Sequence, residues 1–147
     1  MSTCSASRTL PYSCEQLFDL AADVESYPEY LPGWLDVRIL ERSGNKLRVE
    51  QQLGLGFLPM PFVTTAVLDR PEKLGIHSDD GPFRVLQIDW RFEPAGPGGC
   101  TVSLDFDYRL RFGFLDRMAA TLFEHSSQEI IDGFTRRAHR LYADKGT

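Results

Sequence analysis

Apolar and polar residues alternate without a break over two neighbouring stretches of this chain. In the first, Leu86, Ile88, Trp90 and Phe92 alternate with Gln87, Asp89, Arg91 and Glu93. In the second, Cys100, Val102, Leu104, Phe106, Tyr108, Leu110 and Phe112 alternate with Thr101, Ser103, Asp105, Asp107, Arg109 and Arg111. Successive side chains of a strand point to opposite faces, so each stretch predicts a β-strand with one apolar and one wet face. The Pro and Gly cluster from Pro94 to Gly99 predicts the turn between them. The same period runs through Leu35, Val37 and Ile39, which are expected on one face. Ser43-Gly44-Asn45 supplies a hairpin turn, and the return strand carries Leu47, Val49, Gln51, Leu53, Leu55 and Phe57. Phe62 to Arg70 and Gly75 to Asp80 read as two further strands, and Ser7 to Tyr12 as an edge strand, where Pro11 is tolerated near the end.

The period changes to that of a helix in two places. Ser13 and Gln16 have the spacing of a capping box, followed by Leu17, Phe18, Leu20, Ala21 and Val24, which predicts a helix from about Cys14 to Asp23. Tyr27-Pro28 and Leu31-Pro32 break any continuation, leaving room for at most one more short helix. After Gly113, a stripe of Leu115, Met118, Ala119, Leu122, Phe123, Ile130, Phe134, Ala138 and Leu141 predicts a long amphipathic helix down to about Tyr142. Strand, helix, a run of hairpin-connected strands and a final helix make an α+β fold, in which a curved antiparallel sheet wraps a long C-terminal helix.

One helix cannot cover a twisted sheet of such long strands everywhere, because the curvature lifts the sheet's ends from the helix axis. The space so left predicts an apolar cavity, of roughly 300 to 1,000 Å³ if it takes a ligand. Strand parity turns Trp90, Phe92, Phe106 and Tyr108 into that space, where each equally serves as ordinary core. Phe57, Phe62 and Phe83 fall at strand ends beside Pro59, Pro61 and Pro82 and are expected at the cavity's mouth. The polar exceptions on inward faces are Gln51, Tyr108, Thr64 and Arg8. They can bond one another, water, or the carbonyl oxygens of a ligand.

Length and charge narrow the function. The chain has 147 residues, 42% hydrophobic and 12% aromatic, which suits one domain spanning 1–147 with a sizeable core. A net charge of −5 argues against a DNA-binding face, since phosphate neutralisation needs clustered cations; only Arg136, Arg137 and Arg140 form a local basic group. Cys4, Cys14 and Cys100 are odd in number, and no apolar run resembles a signal peptide or a spanning helix, so a reducing, cytoplasmic setting is expected. His77, His125 and His139 lack metal-ligand spacing, and no nucleophile elbow appears. Asp105 and Asp107 share a strand face with Arg109 and Arg111, which reads as a solvated charged face before it reads as an acid/base pair. Neither a cofactor, a metal nor a catalytic residue is expected.

Four segments in register carry a resemblance over nearly the whole chain. VESYPEYLP at Val24 to Pro32, FVTTAVLDRPEKL at Phe62 to Leu74, GPFRVLQIDWRF at Gly81 to Phe92 and IIDGFTRRAHRLY at Ile130 to Tyr142 are similar to the coenzyme Q-binding proteins of the START-like, polyketide-cyclase superfamily. The family usually follows the Leu-Pro pair with Trp-Cys; here Leu31-Pro32 is followed by Gly33-Trp34, moving the indole by one place. The resemblance implies a helix-grip fold around an apolar tunnel, with ubiquinone or a similar isoprenoid lipid as ligand rather than as cofactor. It also implies a non-catalytic chaperone or carrier role in respiratory electron transport, with transient contact at the inner membrane. Leu31, Pro32 and Trp34 would then flank the entrance, while Trp90, Phe92, Phe106, Tyr108 and Leu122 line the tunnel. Bacterial members of the same family described as toxins that block ribosomal subunit association supply a rival partner, the ribosome. Polyketide cyclases or aromatases of related fold supply a rival enzymatic reading.

Overall fold

The computed structural model describes residues 2–31, 33–55, 58–111 and 126–143. Strand β1 spans Ser2–Leu10 and is followed by helix α1, Cys14–Ala22. The predicted capping box is present: Ser13 Oγ accepts from the Gln16 amide, and the Gln16 side chain reaches back to the Ser13 amide. A 3₁₀ turn at Val24–Ser26 leads to a one-turn helix α2, Tyr27–Tyr30, with Pro28 in its first turn, where a missing N–H costs nothing. Six strands follow: β2 (Trp34–Ser43), β3 (Lys46–Leu55), β4 (Leu58–Asp69), β5 (Lys73–Ser78), β6 (Phe83–Pro94) and β7 (Cys100–Leu110). Helix α3, Ser126–Tyr142, closes the described chain. The predicted stripe residues from Leu115 to Phe123 lie outside the described residues.

All seven strands form one antiparallel sheet in the order β1-β7-β6-β5-β4-β3-β2. The first strand is thus brought beside the last, and the sheet's edges are β1 and β2. Gly44, at φ 59°, makes the tight turn from β2 to β3, a backbone conformation open to glycine at little cost. Register stacks apolar residues in rows across the concave face. Leu47, Ala66, Ile76, Ile88 and Phe106 form one row, and Leu74, Trp90, Leu104 and Ala6 the next. Helix α1 packs on β5, β6 and β7, and α3 on β1 and β7, with Ile130, Ile131, Phe134 and Ala138 buried.

Two expectations shift. The edge strand expected at Ser7 to Tyr12 runs earlier, because its pairing with β7 begins at Ser2 opposite Tyr108 and ends at Leu10 opposite Cys100. On β2, Leu35 does not share a face with Val37: it is 54% exposed, while Trp34 and Val37 are buried. A register shift between Trp34 and Asp36 inserts an extra residue, which changes the phase of the alternation there.

Candidate functional site

Three aromatic groups divide the concave face along its length. At one end Phe18 of α1 meets Phe92 edge-on at 5.6 Å, Phe92 stacks parallel to Trp90 at 6.4 Å, and Trp90 lies 4.9 Å from Phe134 of α3. In the middle, Tyr27 contacts Trp34, which in turn lies 6.3 Å from Phe106. At the other end Phe62 and Phe83 meet edge-to-face at 5.0 Å. Leu31, Trp34, Phe62, Phe83, Trp90, Phe92, Phe106 and Tyr108 are all buried.

The buried polar groups of this face are bonded to one another. Trp34 Nε1 donates to Gln51 Oε1 at 2.8 Å, Gln51 Nε2 donates to Thr64 Oγ1 at 2.9 Å, and Thr64 Oγ1 donates to the Val49 carbonyl at 3.2 Å. Tyr27 gives its hydroxyl to the Ala21 carbonyl. Burial, then the nearby Tyr30 and Asp23, push the Tyr27 phenol well above its usual range, so it stays a neutral donor. Arg8 is half-buried and pairs through Nη2 with Asp132 Oδ1 of α3 at 2.5 Å.

Between α2 and α3 the surface opens into a groove of about 400 Å³, lined by Pro28, Glu29, Tyr30, Leu31, Glu129, Asp132 and Arg136. The two helices approach closely beside it: a Cβ on Gly133 would sit 2.5 Å from the Tyr30 carbonyl oxygen. Arg137 lies over the Tyr30 ring at 5.3 Å and reaches Glu29 Oε1 at 3.5 Å. Its Nε is buried and has no hydrogen-bond partner among the described residues. Burial first, then the Asp23 charge, raises the Tyr30 phenol, while Arg137 acts in the opposite sense. A second cleft, of about 560 Å³, lies on the sheet's outer face around Arg48, His77 and Arg84.

A family described as polyketide cyclase / dehydrase and lipid transport matches residues 10–135 of the sequence. The chain belongs to this family. Among its relatives, the ribosome association toxin RatA of Pseudomonas aeruginosa is 32% identical over 136 residues, covering 92% of this chain and 94% of the toxin. The mitochondrial coenzyme Q-binding protein COQ10 homolog B of Xenopus laevis is 24% identical over 142 residues, covering 94% of this chain and 58% of that protein. The Zhui aromatase/cyclase from Streptomyces sp. R1128 superposes with a TM-score of 0.85 at 16% identity over 97% of each chain. The seven-stranded sheet and C-terminal helix are those of the START-like helix-grip fold.

Within this family's fold the sequence-predicted residues fall unevenly. Trp90, Phe92, Phe106 and Tyr108 face one side of the sheet and are buried, and among the described residues of the predicted set Leu31 borders the groove beside α2. Phe62 and Phe83 are buried and pack edge-to-face on each other. Pro32, Phe57 and Leu122 lie outside the described residues. The basic group on the last helix is split: Arg136 and Arg140 are exposed, whereas Arg137 turns inward with its side chain 16% exposed. His139 is exposed and shares a 2.5 Å hydrogen bond with the Tyr12 hydroxyl. Asp105 accepts from Ser5 Oγ on the outer face. No group of three His, Cys, Asp or Glu among the described residues could hold a metal, and no described helix is long and apolar enough to cross a membrane.

Sequence reasoning missed the contact of α2 with α3, and with it the places that Tyr30, Gly133 and Arg137 take there. The available signal was Gly133 itself. An isolated glycine inside an otherwise helical pattern is unfavourable unless another backbone must come close.

Proposed function

We propose that the protein holds an apolar isoprenoid ligand of the ubiquinone class between its concave sheet face and its helices, as a non-catalytic carrier. The observation that carries this reading is an aromatic concave face whose buried polar groups bond to one another, leaving no described acid or base free on that face for turnover. The relative named as a coenzyme Q-binding protein supports the quinone class. Binding of the tail is driven by burial, at about 0.8 kcal/mol per methylene at most, so a few isoprene units give useful affinity. The groove beside Leu31 is the proposed point of entry, and the tail displaces side chains of the Trp34 and Phe106 group on its way in. A quinone carbonyl takes the Trp34 indole N–H in place of Gln51, which sets orientation more than strength.

The RatA relative favours a second reading, association with the ribosome through the exposed Arg136 and Arg140. Glu129 and Asp132 border the same groove as Arg136, and Arg137 is withdrawn, which leaves little cationic surface for phosphate.

Native mass spectrometry with lipid extraction, on protein purified from its own host, is expected to reveal a co-purifying quinone. Titration of Leu31→Ala with ubiquinone in detergent should show weaker retention, and Arg140→Glu, a charge reversal outside the groove's lining, should bind as the parent does. A parent protein that takes up no quinone, yet sediments with ribosomal subunits in a manner lost on charge reversal, decides for the second reading.

A further inference from the structure

Cys14 is the first residue of α1 and Cys100 the first residue of β7, and their Sγ atoms lie 2.9 Å apart although the residues are 86 positions apart in sequence. Both are free thiols and both are buried. The two sulfurs are already in contact, and closing the remaining gap to a disulfide's length of about 2.05 Å takes a movement of about 1 Å. Thiols paired in this way in a reducing compartment form transient, redox-sensing disulfides, not permanent structural ones.

We propose that this pair is an oxidation site, converted by hydrogen peroxide into an intramolecular disulfide that staples α1 to the start of β7. Cys14, the less deeply buried residue at 8% exposed against 0% for Cys100, is assigned the first reaction with the oxidant. Its sulfur attacks one peroxide oxygen, the O–O bond breaks, and the departing hydroxide leaves as water with the thiol proton. Cys14 is then a sulfenic acid beside Cys100. Burial, and next the Cys14 neighbour, push the Cys100 thiol up to about 12, so it keeps its proton until the second step. There the Cys100 sulfur attacks the Cys14 sulfur, the S–O bond breaks, and the hydroxyl leaves with the Cys100 proton as a second water. Two thiols have given up two electrons and two protons, and the peroxide has become two waters.

The staple closes a loop spanning most of the chain, which raises the thermal midpoint by roughly 5–15 °C if the fold is otherwise unchanged. It fixes the helix that leads into α2 and is independent of whether the concave face takes a quinone.

The test is a non-reducing peptide map of the whole protein after treatment with hydrogen peroxide and alkylation in denaturant. The expected result is a Cys14–Cys100 linked peptide, an alkylated Cys4, a mass lower by two hydrogen atoms before alkylation, and a higher thermal midpoint, all reversed by dithiothreitol. In Cys100→Ser the linked peptide disappears and dimedone captures a sulfenic acid at Cys14. The map of the unmodified sequence decides by itself if that variant does not fold. Recovery of Cys14 and Cys100 both as alkylated thiols, or linked only to Cys4, overturns the site; a linked pair with an unchanged midpoint overturns the staple.

Discussion

Replacing Gly133 by alanine sets two effects of opposite sign against each other, and the packing of α3 on α2 decides between them. Considered as a helix position alone, Gly133→Ala gains about 1 kcal/mol, because alanine loses less backbone entropy on folding. The new methyl, however, would stand 2.5 Å from the Tyr30 carbonyl oxygen, where real Cβ contacts are ordinary only from 3.4 Å outward. The obstacle is main chain, so no side-chain rotation relieves it, and one helix must withdraw by about 1 Å. Forced displacement of packed elements costs about 1–3 kcal/mol. In this case it also loosens Arg137 over the Tyr30 ring and the partner of Glu29. The expected net effect is destabilisation by about 1 kcal/mol, a fall of roughly 2–4 °C in thermal midpoint for a chain of this size. Urea unfolding followed by circular dichroism, with an unchanged slope, measures it. A variant more stable than the parent by the full propensity gain would show that α2 and α3 do not meet at Gly133.

Two further outcomes follow from the buried polar groups. Gln51→Leu leaves the Trp34 indole N–H without its acceptor while Thr64 keeps the Val49 carbonyl, so the expected cost is about 1–3 kcal/mol in urea unfolding; pairing it with Trp34→Phe should restore part of the loss, and an unchanged stability in the single variant would refute the network. The Tyr27 and Tyr30 phenols are raised above 10.0 in the folded state, chiefly by burial, so the unfolded chain loses those protons first. Their contribution is therefore complete below pH 10 and is lost as pH climbs toward the folded values, with a slope of up to about 1.4 kcal/mol per pH unit for each phenol. Tyr27→Phe should flatten the decline; stability of the parent that stays level to pH 11 would contradict it.

Strands β6 and β7 could be read directly, because a half-buried strand must repeat every two residues and nothing interrupts that repeat from Leu86 to Phe92 or from Cys100 to Leu110. The capping box of α1 was equally plain, since Ser13 and Gln16 act on backbone groups only three residues away. β2 resisted the same reading. Its alternation changes phase at Leu35 through a bulge set by pairing with β3, and the sequence of one strand does not record where its partner skips. The candidate site divides along the same line. That Trp90, Phe92, Phe106 and Tyr108 share a face follows from parity alone; that Phe92 meets Phe18 of α1 and Trp90 meets Phe134 of α3 follows from helices placed far away in sequence.

Local periodicity thus specified the elements, the α+β class and the inward set of aromatics, because each depends on interactions between residues a few positions apart. The meeting of Cys14 with Cys100, of Trp34 with Gln51 and Thr64, and of the Tyr30 carbonyl with Gly133 depended on how the sheet curves and where the helices settle on it. Those distances arise from the simultaneous packing of all seven strands, and no single segment contains them.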